Sequence, residues 1–138
     1  MVGLLLVTHN RIGYELLLTA KATLGDYPLP TRTLAVTADR DPDEALQKGK
    51  ELIKELDQGD GVLILTDCYG STPSNIATRL GNVAATAVVS GANLPMLIRI
   101  LNYPDLQLSE LVEKAVTGGR DGVVLVSQGE ASPCQAEK

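Results

Sequence analysis

The sequence contains no phenylalanine and no tryptophan, and its only aromatic side chains are those of four tyrosines. Proteins that bind single-stranded nucleic acid usually stack the bases on aromatic side chains. That function is therefore disfavoured here. The hydrophobic core must instead be built from leucine, valine, isoleucine and alanine.

Positive charge is also scarce, because 12 lysines and arginines face 17 aspartates and glutamates, for a net charge of −5. A phosphate backbone or an anionic membrane attracts the opposite sign of charge. We therefore expect no nucleic-acid partner, and any anion that the protein handles must be bound by local groups.

Long apolar runs are absent as well, since none approaches the roughly 18 residues of a membrane span. No basic leader precedes the apolar stretch that begins at Val2. The two cysteines, Cys68 and Cys134, form neither a disulfide framework nor a C-x-x-C pair, and Cys68 is most simply a small buried side chain. With one histidine, the sequence offers no metal-ligand cluster. We expect a cytoplasmic protein with no metal and no cofactor.

The 138 residues suit one domain, and the hydrophobic pattern indicates its class. Apolar runs without alternation at residues 2–7, 62–65 and 84–89 are typical of parallel strands that are covered on both faces. Residues 33–36 and 123–126 are weaker strand candidates. Five segments with helical periodicity lie between these runs, so the element order is β-α-β-α-β-α-β-α-α-β. The sequence predicts one doubly wound α/β domain over residues 1–127 and a flexible tail over residues 128–138.

Turn and cap residues support these boundaries. Gly25 ends the first helix, and Asp41 caps the second helix, which starts at Pro42. A Gly-Asp-Gly turn at residues 59–61 precedes the third strand.

Two strand ends carry reactive side chains. The first strand ends in Thr8-His9-Asn10, and the third is followed by DCYGSTPSN at residues 67–75. Ligands of open α/β sheets bind at the carboxyl ends of the strands, where neighbouring connections go to opposite faces. If the strand order is the common 2-1-3-4, His9 and Asp67 face each other at that point.

These residue types suit phosphoryl transfer. A neutral imidazole is a good nucleophile, and a carboxylate bonded to one ring N–H orients the ring and stabilises the cation that forms. The turn at Gly70, Ser71 and Thr72, with Pro73 in the first turn of a helix, would supply an anion cradle of backbone N–H groups. We assign the catalytic role to His9 and Asp67.

Alternative interpretations stay open at this point. A lone histidine after a strand is more often a surface or cap residue, and Asp67, Ser71 or Thr72 could each cap the following helix. A cysteine phosphatase loop is excluded because it needs an arginine six positions after Cys68, where Ser74 stands. A receiver domain is excluded because it needs an acidic pair after the first strand. Neither nucleotide-binding glycine fingerprint is present.

A third motif, SGANLPML at residues 90–97, follows the fourth strand. Asn93 and Pro95 are ordinary residues for a helix start, but the position makes this segment a candidate wall of the same cleft. We expect the side chains around the site to face protein partners, namely Asn10, Arg11, Leu94, Pro95 and Met96.

Taken together, the three motifs resemble the IIA component of the mannose class of the bacterial phosphoenolpyruvate-dependent sugar phosphotransferase system. The similarity covers about residues 1–127 in order and spacing. It implies that His9 takes a phosphoryl group from the phosphocarrier HPr and passes it to a IIB component. It also implies that Asp67 orients His9, and that the phosphoryl group is bound by the loop residues Tyr69, Gly70, Ser71 and Thr72.

The resemblance further implies a four-stranded parallel sheet and a C-terminal antiparallel strand, residues 123–126, exchanged in a homodimer. The family more often has threonine, tryptophan and glycine at the positions of Cys68, Tyr69 and Ser71, so the cradle could differ in shape. No IIB-like region follows in this sequence, so we expect a separate acceptor chain and membrane contact only through IIC and IID partners.

Two other functions compete with sugar uptake by a phosphohistidine relay. One is a stand-alone regulatory IIA protein, in which the phosphorylation of His9 controls binding to a partner protein. The other is a small-ligand binding protein without chemistry, which would tolerate the loss of His9. The sequence does not indicate which sugar is transported, because in this family the membrane components make that choice.

Overall fold

The computed structural model describes residues 1–82 and 85–129, which form four strands and five helices. In chain order these are β1 (Gly3–His9), α1 (Ile12–Leu24), β2 (Thr31–Val36), α2 (Pro42–Leu56), β3 (Val62–Thr66), α3 (Thr72–Leu80), β4 (Thr86–Ser90), α4 (Leu94–Leu101) and α5 (Leu108–Asp121). The five predicted helices and the first four predicted strands are all present. Residue 84, where the fourth strand was predicted to begin, lies outside the described residues.

The four strands form one parallel sheet in the order β2-β1-β3-β4, which confirms the predicted order. β1 is therefore an interior strand between β2 and β3. Its last residue, His9, is in register with Val36 at the end of β2, and Val7 is in register with Thr66 at the end of β3. This order places the connections after β1, β2 and β3 side by side at one edge of the sheet.

Helices cover both faces of the sheet, as the unalternating strands predicted. Leu4 and Leu6 pack in one apolar cluster with residues of α4 and α5, whereas Leu5 and Val7 pack in a second cluster with residues of α2 and α3. These four side chains are at most 1% exposed. Burial of each such leucine or valine stabilises the fold by about 1.5–3 kcal/mol, so β1 is a rigid support for the residues at its end.

Side-chain caps begin three of the helices. Asp41 accepts a hydrogen bond from the backbone of Asp43 at the start of α2, as the sequence predicted. Ser71 accepts one from the backbone of Ser74 at the start of α3, at 3.4 Å. The cap of α3 is therefore Ser71, which leaves the Asp67 carboxylate free for another partner.

α1 starts close to the end of β1 because Gly13 has no side chain. A Cβ atom at Gly13 would lie only 3.0 Å from the Cβ of Leu6. The hydroxyl of Thr8 also accepts a hydrogen bond from the backbone N–H of Gly13, at 2.8 Å. The connection between β1 and α1 is thus held tightly, and with it the position of His9.

The last predicted strand does not form in the single chain. Residues 123–126 have no regular secondary structure, and the side chains of Val123, Val124, Leu125 and Val126 are 80%, 67%, 74% and 91% exposed. The physical reason is that the segment leaves α5 at Gly122 and pairs with no strand of its own sheet. Its exchange between subunits of a dimer stays a prediction.

The C-terminal tail is only partly within the described residues. Residues 128 and 129 are exposed and have no regular structure, and residues 130–138, including Cys134, lie outside. The domain boundary at residue 127 stays a prediction. In the described part of the chain, no helix combines the length and the apolar character that a bilayer span requires.

Candidate functional site

His9 and Asp67 meet at the carboxyl edge of the sheet. The Nδ1 atom of the His9 ring lies 2.8 Å from Oδ2 of Asp67. The histidine side chain is 44% exposed, whereas the aspartate side chain is only 10% exposed. The sequence placed these two side chains opposite each other, and the structure brings them together.

Asp67 is held by backbone groups as well as by the His9 ring. The backbone N–H of His9 donates to Oδ2 at 3.1 Å, and that of Cys68 donates to Oδ1 at 3.1 Å. Burial raises the pKa of Asp67, but the hydrogen bonds from the ring and the backbone of His9 outweigh it, so the pKa lies below its ordinary value. Asp67 is therefore an ionised carboxylate at neutral pH.

The ionised carboxylate determines which ring nitrogen of His9 can react. A carboxylate can only accept hydrogen bonds, so the proton between the two groups lies on Nδ1. The neutral ring then carries its free lone pair on Nε2. That nitrogen can attack an electrophile while Asp67 stabilises the positive charge that develops on the ring.

A cleft of about 390 Å³ adjoins His9. We call it the His9 cleft and define it by its lining residues, which are His9, Asn10, Val36, Thr37, Ala38, Arg40, Pro42, Thr72 and Pro73. One side of it is formed by the β2–α2 connection and the other by the first turn of α3. The first turns of α2 and α3 both border this cleft, and helix N-termini favour bound anions.

Of the four residues predicted to bind a phosphoryl group, Thr72 lines the His9 cleft. The others shape the preceding turn. Gly70 has a φ of 84°, which favours glycine, and its backbone N–H donates to the Ser74 hydroxyl at 3.3 Å. The Ser71 hydroxyl donates to the carbonyl of Cys68 at 2.6 Å, and Tyr69 is 86% exposed. Tyr69, Gly70 and Ser71 do not line the cleft.

Cys68 is exposed, so the interpretation as a small buried residue is wrong. The reason is that β3 ends at Thr66 and the chain then leaves the core. Among the described residues, no group of three histidine, cysteine, aspartate or glutamate side chains could hold a metal ion.

The predicted partner-facing residues divide into two groups. Asn10, Arg11 and Pro95 are exposed, and Leu94 is partly exposed. An apolar surface between α1 and α4 contains Leu94 and Arg11 and is called the α1–α4 patch; its residues are Arg11, Ile12, Glu15, Leu16, Thr19 and Leu94.

Met96 does not face a partner, and that prediction is wrong. Its side chain is 3% exposed and belongs to the apolar cluster on the α4 face of the sheet. Asn93 caps α4 by accepting a hydrogen bond from the backbone N–H of Met96 at 2.9 Å. The helix starting at this cap carries Met96 inward, where its terminal methyl group lies close to Gly119.

Sequence reasoning missed the β2–α2 connection, which contributes Thr37 and Arg40 to the His9 cleft. A signal was present in the predicted strand order. In the order 2-1-3-4, the end of β2 is as close to the end of β1 as the end of β3 is. The residues after β2 therefore belonged among the candidates.

Comparisons with known proteins identify the family of this chain. Residues 3–116 match the family EIIA-man, described as the PTS system fructose IIA component. The chain is 30% identical over 125 residues to the PTS system mannose-specific EIIAB component of Escherichia coli strain K12, covering 88% of this chain and 38% of that relative. It therefore spans less than two fifths of the length of this relative.

Solved structures show the same fold. The mannose/sorbose-specific IIA subunit of the phosphotransferase system from Enterococcus faecalis superposes with a TM-score of 0.81 at 26% identity, covering 95% of this chain and 98% of that one. The PTS IIA protein associated with the fucose utilization operon of Streptococcus pneumoniae gives a TM-score of 0.75 at 27% identity, covering 91% and 96%. The predicted family is thus confirmed, and the chain belongs to the mannose-class IIA family of the sugar phosphotransferase system.

Proposed function

We propose that this protein is a phosphohistidine relay in which His9 accepts a phosphoryl group from phospho-HPr and passes it to a IIB component for sugar uptake. The observation that carries the proposal is the 2.8 Å contact between His9 Nδ1 and Asp67 Oδ2. It leaves Nε2 as the nucleophile on a side chain that is 44% exposed. The family match supports a phosphoryl relay in general. The roles of Nε2 as nucleophile and of Asp67 as its partner are what the proposal adds.

The transfer step exchanges one N–P bond for another. The lone pair of His9 Nε2 attacks the phosphorus of the donor phosphohistidine, and the donor's N–P bond breaks with its electron pair returning to the donor ring. The His9 ring becomes more positive as the new bond forms, and its Nδ1–H donates to the ionised Asp67. Transfer to IIB is the reverse reaction with a different partner.

The phosphoryl group would occupy the His9 cleft next to Thr72 and the first turns of α2 and α3. Aligned backbone dipoles at helix N-termini stabilise negative charge. A local arrangement of this kind is needed because the chain as a whole carries a net charge of −5 and does not attract anions.

Donor and acceptor must both cover His9 closely enough to exclude water during transfer. The α1–α4 patch begins at Arg11, two residues after His9, and suits this role because Ile12, Leu16 and Leu94 give it an apolar surface beside Arg11, Glu15 and Thr19. Transient interfaces of this kind are small and depend on a few apolar anchors. We assign HPr and IIB to this same patch, so the two should compete.

The test is incubation with phosphoenolpyruvate, enzyme I and HPr, followed by mass measurement under alkaline conditions. We expect one added phosphoryl group that is acid-labile, alkali-stable and mapped to His9. His9→Gln should remain unmodified, with an unchanged melting temperature as the control for folding. A label on Cys68, Ser71 or Thr72 in the wild type would overturn the mechanism.

Onward transfer is tested by adding a IIB domain to the phosphorylated protein. Loss of the label to IIB supports the relay. A stable label that no IIB removes would contradict the uptake role and favour the regulatory alternative.

A further inference from the structure

Arg40 lies in the connection between β2 and α2 and lines the His9 cleft. The sheet places it there, since Val36 ends β2 in register with His9. The carbonyl of Val36 also accepts a hydrogen bond from the backbone N–H of Asn10 at 3.2 Å. The connection that carries Arg40 therefore starts beside the proposed nucleophile.

The guanidinium of Arg40 is anchored at one point. Its Nη1 donates to the backbone carbonyl of Ala35 at 2.9 Å, and the side chain is partly buried. In the described part of the chain, no carboxylate oxygen lies within 4.0 Å of a guanidinium nitrogen of Arg40, so Arg40 forms no ion pair there. This holds although Asp39 and Asp41 are its sequence neighbours. A guanidinium has five N–H donors, so most of those on Arg40 are available to a ligand.

The rest of the His9 cleft suits an anion. It contains no aspartate or glutamate, and Arg40 is its one permanently charged side chain. Pro42 and Thr72 bring the first turns of α2 and α3 to its margin. Because arginine binds phosphate oxygens through paired N–H groups, these features match a phosphoryl group.

We propose that Arg40 binds the phosphoryl oxygens of phospho-His9 and so holds the group on this protein. This inference rests on the proposed function, because it requires that His9 be phosphorylated. Arg40 forms no covalent bond in the step. Its N–H groups contact the oxygens while the Nε2–P bond is in place, so its loss shifts the equilibrium of transfer back toward phospho-HPr.

The experiment measures the equilibrium constant for phosphoryl transfer from phospho-HPr to wild type, Arg40→Gln and Arg40→Lys. Arg40→Gln should lower the constant about tenfold to a hundredfold, as expected for loss of charge-assisted hydrogen bonds. Arg40→Lys keeps the charge without the planar fork, so its constant should be intermediate. A matched control is Arg32→Gln, which removes one cation from β2, where Arg32 forms only an exposed ion pair with Glu55.

A second donor separates phosphoryl binding from the docking of HPr. Phosphoramidate phosphorylates histidine without a protein partner, and the fraction of His9 phosphorylated at equilibrium should fall in Arg40→Gln with this donor too. A fall confined to the initial rate with HPr would assign Arg40 to docking and overturn the inference. So would an equilibrium constant for Arg40→Gln equal to that of the wild type.

The behaviour of wild type separates failure of this inference from failure of the proposed function. If wild type is phosphorylated at His9 but the Arg40 variants behave like it, the relay stands and this inference fails. If neither donor phosphorylates wild type, the proposed function itself fails. Melting curves exclude unfolding, and Arg40→Lys carries the test if Arg40→Gln is unstable.

Discussion

Asp67 contacts His9 at two points. Oδ2 of Asp67 lies 2.8 Å from Nδ1 of the His9 ring and 3.1 Å from the backbone nitrogen of His9. One carboxylate oxygen thus holds both the side chain and the main chain of His9. The ring is restrained in position and tautomer while the side chain stays 44% exposed. This arrangement prepares a nucleophile for a partner that arrives from solution.

Replacing Asp67 should slow phosphorylation of His9 without abolishing it. Asp67→Ala removes the group that orients the ring and stabilises its positive charge, but it leaves Nε2 in place. We expect the rate of transfer from HPr to fall about tenfold to a hundredfold, the value of a lost charge-assisted hydrogen bond. Rapid quenching at several HPr concentrations measures this rate, and an undiminished rate would show that Asp67 has only a structural role.

Cys68→Ser should leave both the transfer rate and the melting temperature unchanged. The thiol is exposed, and its contact to the carbonyl of Tyr69 is long, at 3.9 Å. The contribution of Cys68 to Asp67 comes from its backbone N–H, which the substitution retains. Abolished transfer in Cys68→Ser, together with normal transfer in Asp67→Ala, would contradict our assignment of the β3 end.

The stability of the protein should depend on pH through Asp67. Hydrogen bonds from His9 lower its pKa below the ordinary value of 3.8 despite the opposing effect of burial. A carboxylate with a lowered folded-state pKa stabilises the protein above its unfolded pKa, and this contribution is lost as the pH falls through the folded one. The difference in unfolding free energy between wild type and Asp67→Asn should therefore be constant well above pH 3.8 and shrink as the pH falls below that value. Urea denaturation at several pH values measures it, and a constant difference would contradict the ionised state.

Leu94→Asp and Ile12→Asp should each weaken the docking of HPr, because both introduce a charge into the apolar α1–α4 patch. We expect the apparent Km for HPr to rise at least about tenfold. Leu18→Asp is the matched control, since Leu18 is a half-exposed apolar residue of α1 outside the patch. Lys50→Glu on α2 should also have no effect. Equal slowing by the control variants would place the docking surface elsewhere.

Met96→Asp should instead unfold the protein or lower its melting temperature by several degrees. The substitution would bury a charge at a side chain that is 3% exposed. Variants of Met96 are therefore unsuitable as docking probes, and a stable Met96→Asp protein would contradict the packing of α4.

The chain should form a homodimer through residues 123–126. Their apolar side chains are exposed, and β4 is an edge strand of the described sheet. A groove between β4 and α5, lined by residues that include Val88, Val112 and Val116, is a suitable seat for the same segment of a second copy. Light scattering of wild type should give the mass of two subunits. Truncation after Asp121, or Leu125→Asp, should give one subunit or aggregate, and a monomeric wild type would contradict the exchange.

The sheet could be predicted from the sequence because its strands have an unusual composition. In β1 and β3, consecutive aliphatic residues leave no polar face, and only a sheet covered by helices on both sides buries them all. The strand order then followed from the common doubly wound topology, and it brought His9 next to Asp67.

The burial of single side chains outside the strands could not be predicted in the same way. Met96 and Leu94 are two residues apart in an apolar helix, and the direction that each faces depends on where the Asn93 cap starts the helix. Cys68 follows a buried strand by two residues, and its exposure depends on where the chain leaves the core. Arg40 carries no motif at all, and only the packing of β2 against β1 brings it to the His9 cleft.

His9 lies where the two layers of helices meet the edge of the sheet. The His9 cleft belongs to the side of α2 and α3, whereas the α1–α4 patch belongs to the opposite side. The two surfaces share no lining residue, so the free-energy effects of substitutions in one and in the other should add. Substitutions in the α1–α4 patch should therefore change the affinity for a protein partner while the chemistry at His9 stays the same.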